Sequence, residues 1–191
     1  MSVLGRGARP TQPTLKTDRL KLRRWREDDL EAFAALNSDP AVMEHFPAPL
    51  TREQSDELVE RIEAGFGSNG FGLWALEVRA TGEFIGFAGL AVPEFEAHFM
   101  PAVEIGWRLA RSAWGHGYAT EAGKAALAYG FEQAGLDEIV SFTTVANRRS
   151  RVVMERLGMS HDPADDFDHP GLPTGHPQRR HVLYRIRPPA P

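Results

Sequence analysis

Residues 103–136, VEIGWRLARSAWGHGYATEAGKAALAYGFEQAGL, limit what this chain can fold into more than any other stretch. The stretch opens on strict alternation. Val103, Ile105, Trp107 and Leu109 fall on one face of a strand, and Glu104, Gly106 and Arg108 on the other. A short loop follows, with Gly115 and Gly117 two apart. An Ala-rich run from about Ala119 to Ala134 then reads as a helix, and Gly135 stands where a left-handed C-terminal cap belongs. Strand, glycine turn and helix together can hold phosphate. Glycine lets the backbone approach an anion, the first free N–H groups of the helix point at it, and the helix dipole adds about half a positive charge there. A glycine pair at a strand-to-helix turn is common, so its neighbours must decide what it binds.

Composition narrows the alternatives. At 191 residues the chain is long enough for one domain with a substantial core. A net charge of −4 argues against a nucleic-acid binder. No apolar run approaches the ~20 residues of a membrane span. Residues 1–13 carry arginines but no apolar core, so a loose tail is expected there and not a secretory signal. The absence of cysteine removes disulfides, thiolate metal sites and a cysteine acyl-enzyme, and it fits a cytoplasmic location.

The remaining chain reads in order. Residues 19–25 alternate Leu20, Leu22 and Arg24 against Arg19, Lys21 and Arg23, as a strand with one buried face. Acid at residues 27–29 starts a helix to about Asn37, with Leu30, Phe33, Ala34 and Asn37 as its inner stripe. Thr51 and Gln54 form a capping box for a helix to about Phe66, with Gly67 after it. Residues 71–79 and 83–92 are hairpin strands joined at Ala80-Thr81-Gly82. A longer turn leads into the strand at 103, giving three antiparallel strands in a row. The β-branched run 139–145 is a further strand, parallel to that one after the crossover helix. Asn147 caps a short helix that Gly158 stops. A strand at 157–161 and a last one at 181–187, expected to close the sheet, complete the pattern. One domain over residues 14–187 is expected, with a second short tail at 188–191.

The segment Trp114-Gly115-His116-Gly117-Tyr118-Ala119 resembles the acetyl-CoA signature of the GNAT superfamily of N-acetyltransferases, Gln/Arg-x-x-Gly-x-Gly/Ala between strand and helix. Gly117 and Ala119 take the small positions, and Trp114 replaces the usual Gln or Arg. The string WGHGYATEA is similar to the branch that holds the ribosomal-protein N-terminal acetyltransferases. The resemblance runs from about Thr17 to Ile186. It implies an α+β fold, a mostly antiparallel mixed sheet flanked by helices, with one parallel strand pair that splays apart. It also implies acetyl-CoA as co-substrate, held along Trp107, Arg108 and Leu109 and on the turn Trp114, Gly115, His116, Gly117, Tyr118, Ala119 and Thr120. The implied activity is acetyl transfer to a primary amine by direct attack in a ternary complex. Branch resemblance points to a protein N-terminal α-amine as acceptor; a small-molecule amine and a non-catalytic acyl-CoA-binding module are the alternatives. A homodimer is compatible with the family.

Thioester aminolysis needs an amine that loses a proton, an aimed acetyl group, a donor for the developing oxyanion and a proton for the departing thiolate. Glu104, a carboxylate in an otherwise apolar strand, is the candidate base; an ion pair with Arg108 is the structural alternative. The family resemblance assigns the oxyanion donor to backbone N–H groups near Leu109. The same resemblance, through TVANRRSRVVMERLGM, assigns Asn147 to the arm of acetyl-CoA and Ser150 to the region of the sulfur, where many relatives have Tyr. Helix capping explains Asn147 equally well. Arg111, Lys124, Arg148, Arg149 and Arg151 can meet phosphates or merely face solvent. The loop 160–177, with Asp162, Asp165, Asp166 and Asp168, can draw a cationic amine or stand solvated. Its His161, His169 and His176 match no metal-ligand spacing, so no metal is expected. A dinucleotide site is excluded because Thr120 takes the third glycine position, and a Walker loop because no Gly-Lys-Ser/Thr occurs.

Overall fold

A computed structural model describes residues 14–188; the expected tails at 1–13 and, past Pro188, 189–191 lie outside them. The chain runs β1 (Leu15–Lys16), β2 (Leu20–Arg23), α1 (Asp29–Ser38), α2 (Arg52–Asn69), β3 (Leu73–Val78), β4 (Phe84–Ala91), β5 (Glu104–Leu109), α3 (Tyr118–Glu132), β6 (Ile139–Thr144), α4 (Arg148–Arg156), β7 (Ser160–His161), β8 (Phe167–Asp168) and β9 (Arg180–Ile186). The described strands form one sheet in the order β1-β2-β3-β4-β5-β6-β9-β7, with β8 also on β9. Every pairing is antiparallel except β5 with β6. None of the described helices is long and apolar enough to cross a membrane.

The alternation of β5 sorts the packing into two layers. On one face Ile105 and Leu109 join Leu90 of β4 and the small residues Ala122 and Ala126 of α3, which let that helix lie close to the sheet. On the other, Phe87 joins Phe33 and Leu36 of α1 and Val59 of α2. Phe87 stands opposite Arg108, so Glu104 and Arg108 share this second face.

Several sequence expectations are corrected. The expected last strand does not close the sheet: β9 lies inside it, between β6 and β7. Its residues His181, Val182, Leu183 and Tyr184 are all buried, as an interior strand requires. Helix α2 passes Gly67 and ends at Gly70, whose φ of 77° supplies the left-handed cap; the Thr51–Gln54 box is present at its start. The inner stripe of α1 is Asp29, Phe33, Leu36 and Asn37, so Leu30 and Ala34 sit at its border. Arg23, placed by alternation on a face with Lys21, is buried. Its Nη1 and Nη2 donate to Asp29 at 2.7 and 2.8 Å, and its Nε to Glu77 at 2.6 Å. That fork welds α1 to β2 and β3.

Candidate active site

The site begins where β5 and β6 part. They share a single register pair, Glu104 with Val140, and Val140 N–H donates to the Val103 carbonyl at 2.9 Å. One step further the next carbonyl, of Ile105, accepts the buried Ser141 hydroxyl at 2.9 Å instead of a strand amide. Along a strand, main-chain groups alternate sides. Ala110 N–H donates to Ile85 of β4, so Leu109 and Trp107 turn their N–H groups to the opposite side, into the gap. The gap opens into a cleft of about 890 Å³. The expected splay is therefore present, with the Ser141 hydroxyl on the Ile105 carbonyl where it opens.

At one mouth of the cleft stands the glycine turn. Gly115 and Gly117 have φ of 79° and 78°, a conformation that other residues adopt only under strain. The turn is fixed from both sides. Trp114 donates its indole N–H to the Leu109 carbonyl at 2.9 Å, and Arg19 donates to the His116 carbonyl at 2.9 Å. The first helical amide with a carbonyl partner is that of Glu121, to Gly117 at 3.0 Å, which leaves the amides of Tyr118, Ala119 and Thr120 for a ligand. Nothing would meet a Cβ at Gly115 within 4 Å. The Thr120 hydroxyl lines the cleft, buried and without a partner. An open anion cradle with an unsatisfied hydroxyl beside it fits the phosphates of acetyl-CoA.

Inside the split, Glu104 turns toward the cleft from β5. Among the described residues no cation pairs with it, and burial without a partner raises its pKa to about 8. A Cβ on Gly106 would lie 3.9 Å from its Oε1, so the bare glycine leaves space beside the carboxylate. The alternative of a Glu104–Arg108 ion pair is not what forms. Arg108 Nη1 donates to the Asn37 Oδ1 at 2.6 Å, and its guanidinium lies over the rings of Phe46 and Phe87 at 4.2 and 5.5 Å.

Across the gap, Asn147 is the N-cap of α4: its Oδ1 accepts from Ser150 N–H at 3.2 Å. Its Nδ2 donates to the Thr143 hydroxyl at 2.9 Å and to Ser150 Oγ at 3.2 Å, which leaves the Ser150 O–H free to donate. Both residues line the cleft, as do Glu104, Trp107, Arg108, Leu109, Trp114, Gly115, Gly117, Tyr118, Ala119 and Thr120. His116 does not; its ring stacks on Tyr118, 5.5 Å away. Of the basic candidates, Arg148 and Arg149 line the cleft, and Arg149 stacks on Trp114 at 4.4 Å. Arg111, Lys124 and Arg151 do not line it, and Arg151 instead meets the Tyr184 hydroxyl and the Val145 carbonyl.

The acidic loop is corrected. Asp165 pairs with Arg185 at 2.7 Å, Asp166 with His161 at 2.8 Å, and Asp168 with Arg179 and Arg180 at 3.4 Å, while Asp162 caps the Ala164 amide. Three of the four charges are thus met by Arg179, Arg180, Arg185 and His161, and none of the four lines the cleft. What the loop brings to the cleft is His169, Leu172 and Gln178. Residue-level reading weighs His169 only as a metal ligand and Asn37 only as a residue of the helix's inner stripe, and it does not single out Leu172, Gln178 or Ser141. A serine within the apolar run 139–145 was the one available signal, since a buried hydroxyl needs a partner.

The comparisons with known proteins define the class. The chain belongs to the GNAT acetyltransferases: residues 19–160 match the family described as Acetyltransferase (GNAT) domain. It is 36% identical over 149 residues to the Bacillus subtilis protein YkkB, covering 76% of this chain and 84% of that one. It is 34% identical over 157 residues to the FsC-acetyl coenzyme A-N(2)-transacetylase of Aspergillus fumigatus, covering 78% of this chain and 66% of that one. The solved acetyltransferase of Agrobacterium tumefaciens superimposes with a TM-score of 0.75 at 29% identity, over 92% of this chain and 95% of that one. The protein is thus an N-acetyltransferase, of a fold family whose enzymes use acetyl-CoA.

Proposed function

We propose that the protein acetylates a primary amine on a small molecule, with Glu104 as the base. The observation that carries this reading is the lone Glu104 carboxylate in the split, its pKa raised to about 8 and so close to working pH. Acetyl-CoA supplies an activated acetyl group when bound. The acceptor ammonium yields one proton to Glu104, and its freed lone pair forms the C–N bond to the thioester carbonyl; as the tetrahedral intermediate collapses the C–S bond breaks, and the second proton on nitrogen passes by way of the Ser150 hydroxyl to the departing sulfur. Leu109 N–H, turned into the gap, supports charge on the carbonyl oxygen; one such donor is worth about 10²–10³ in rate. Ser150, with its O–H uncommitted, is the donor for the departing sulfur, and Asn147 orients it.

Two features favour a small acceptor over the protein N-terminus that the WGHGYATEA string suggests. Gln178 donates to the Glu44 carbonyl at 2.8 Å, tying together the two loops that border the cleft beyond Glu104. An extended peptide would need that border open. The Aspergillus fumigatus relative is named for transfer to an N(2) nitrogen of FsC. Release of free CoA, followed over a panel of small amines and of short peptides with free N-termini, tests the reading. Turnover of the amines and little of the peptides is expected. Turnover of peptides alone would overturn the small acceptor, and turnover of neither would overturn the transferase reading of this site.

A further inference from the structure

Arg108 lines the cleft and has no role in the reaction above. It projects from β5 on the same face as Glu104, with the bare Gly106 between them. It lines the cleft and has no acidic partner among the described residues. Its Nη1 is committed to Asn37, which in turn donates to the buried Ser55 hydroxyl at 2.9 Å, so a relay from α1 and α2 holds the guanidinium in place. Its Nε is buried without any hydrogen-bond partner. No described group accepts from Nη2 either. The Nε–Nη2 edge of an arginine is one of the forks that match a carboxylate with two parallel hydrogen bonds. Two aromatic faces, Phe46 and Phe87, are its other neighbours, and they neutralise a cation far less well than an anion does.

Other arginines on this side of the fold show what satisfied guanidinium groups look like. Arg23 has Asp29 and Glu77, and Arg24 has Glu63. Arg108 is held as firmly but left unneutralised, and burial lowers its pKa to about 10. A cation kept in a substrate cleft at this cost calls for a mobile anion. The pantetheine arm of acetyl-CoA offers amides and a sulfur at this depth, and the phosphates belong at the glycine turn, so the acceptor is the molecule left to bring it.

Resting on the transferase reading above, we propose that the acceptor is a dipolar molecule whose amine lies at Glu104 and whose carboxylate binds Arg108. Four residues of strand separate the two side chains, about 13 Å between their Cα atoms. The acceptor's charges therefore stand several bonds apart, as in an ω-amino acid, and not on one carbon.

The test pairs δ-aminovalerate with pentylamine, which differ in the carboxylate. Calorimetric binding to the CoA-loaded protein and CoA release from acetyl-CoA are both measured, on wild type, Arg108→Gln and Arg108→Lys. The wild type is expected to prefer the amino acid by at least about tenfold in Kd and in kcat/KM. Arg108→Gln is expected to abolish that preference, chiefly through KM for the amino acid, so that δ-aminovalerate and pentylamine are handled alike whatever the variant does to the rate with pentylamine. Arg108→Lys is expected to keep part of it, and it serves as the second variant should the glutamine protein fail to fold. Equal handling of the two ligands by the wild type would overturn the proposal while leaving the transferase reading intact. A preference that survives in folded Arg108→Gln, or that is undiminished in Arg108→Lys, would do the same. Binding of δ-aminovalerate through Arg108 with no CoA release would uphold the carboxylate site and sink the transferase reading.

Discussion

Trp114 donates its indole N–H to the main-chain carbonyl of Leu109, 2.9 Å away. The bond spans the turn between β5 and α3 and ties the glycine turn to the end of the strand that lines the cleft. Trp114 stands where relatives carry Gln or Arg, so here an indole supplies a donor from that position. Trp114→Phe keeps the ring and loses the donor. Acetyl-CoA affinity should fall about 5- to 10-fold, since an unmet carbonyl and a loosened turn cost ~1 kcal/mol or slightly more. Titration calorimetry with CoA reads it, and an unchanged Kd would show that the bond does not set the turn.

Glu104 sets the pH dependence. Burial lifts its folded pKa to about 8, above the 4.5 of a glutamate in water. The native protein holds that proton where the unfolded chain has lost it, so between those pH values this group's contribution to stability falls as pH rises. Glu104→Gln should therefore gain in Tm relative to wild type between pH 5 and pH 8. As base, Glu104 must be ionised, so kcat/KM should rise with pH to a plateau above about 8. In the glutamine variant that limb should vanish and kcat drop by about 10²–10⁴. A retained limb would assign the proton to another group.

Gly117 tests the cradle. Its φ of 78° is left-handed, and a Cβ would lie 3.6 Å from Arg19 Nη2, an ordinary contact. The cost of Gly117→Ala is thus backbone strain of about 1–2 kcal/mol, with no clash added. Acetyl-CoA affinity should fall more than stability does, because relaxing that strain turns the amides of α3. A thermal melt with and without CoA separates the two effects.

Asn147 serves both α4 and β6, through Ser150 N–H and the Thr143 hydroxyl. Asn147→Ala should cost ~1 kcal/mol in chemical denaturation from the cap alone. Asn147→Asp keeps the cap acceptor and loses the donor to Thr143 and Ser150 Oγ, so it should recover much of the stability without recovering kcat. Recovery of both would leave Asn147 a cap and nothing more.

The Arg23–Asp29 fork is a structural counterpart. Both side chains are almost fully buried, at 6% and 3% exposure. Asp29→Ala leaves a buried guanidinium with only Glu77, and unfolding should be easier by about 3–5 kcal/mol. Acetyl-CoA affinity of the folded fraction should be unchanged, since neither residue lines the cleft.

Most of the fold was legible because local rules govern its parts. Alternation located β5, the Ala80-Thr81-Gly82 turn paired β3 with β4, β-branched composition marked β6, the Thr51–Gln54 box started α2, and Gly135 and Gly158 took the left-handed conformations expected of them. The boundaries that slipped were those with competing signals, such as Gly67, where a glycine lies inside the helix and a second one beyond it ends it. The short β1 and β8 carried too few residues to show a period. For the site, the glycine turn and Glu104 stood out because each breaks a local pattern. Arg108 did not, because a charge on an alternating strand looks the same whether it meets water, an acid or a ring.

The sequence by itself determined which segments are strands and helices, where the glycine turn lies, and that a carboxylate sits in the strand before it. Those features depend on residues within a turn or two of one another. Only the tertiary structure decided which charges are spent and which are free. Arg23 finds Glu77 across 54 positions, and Arg108 finds Asn37 across 71. Asp165 and Asp168 of the loop are consumed by arginines on β9 and beside it, whereas among the described residues no cation reaches Glu104 at the parting of β5 and β6. A charge acquires its partner, or fails to, through distances that folding sets between remote parts of the chain.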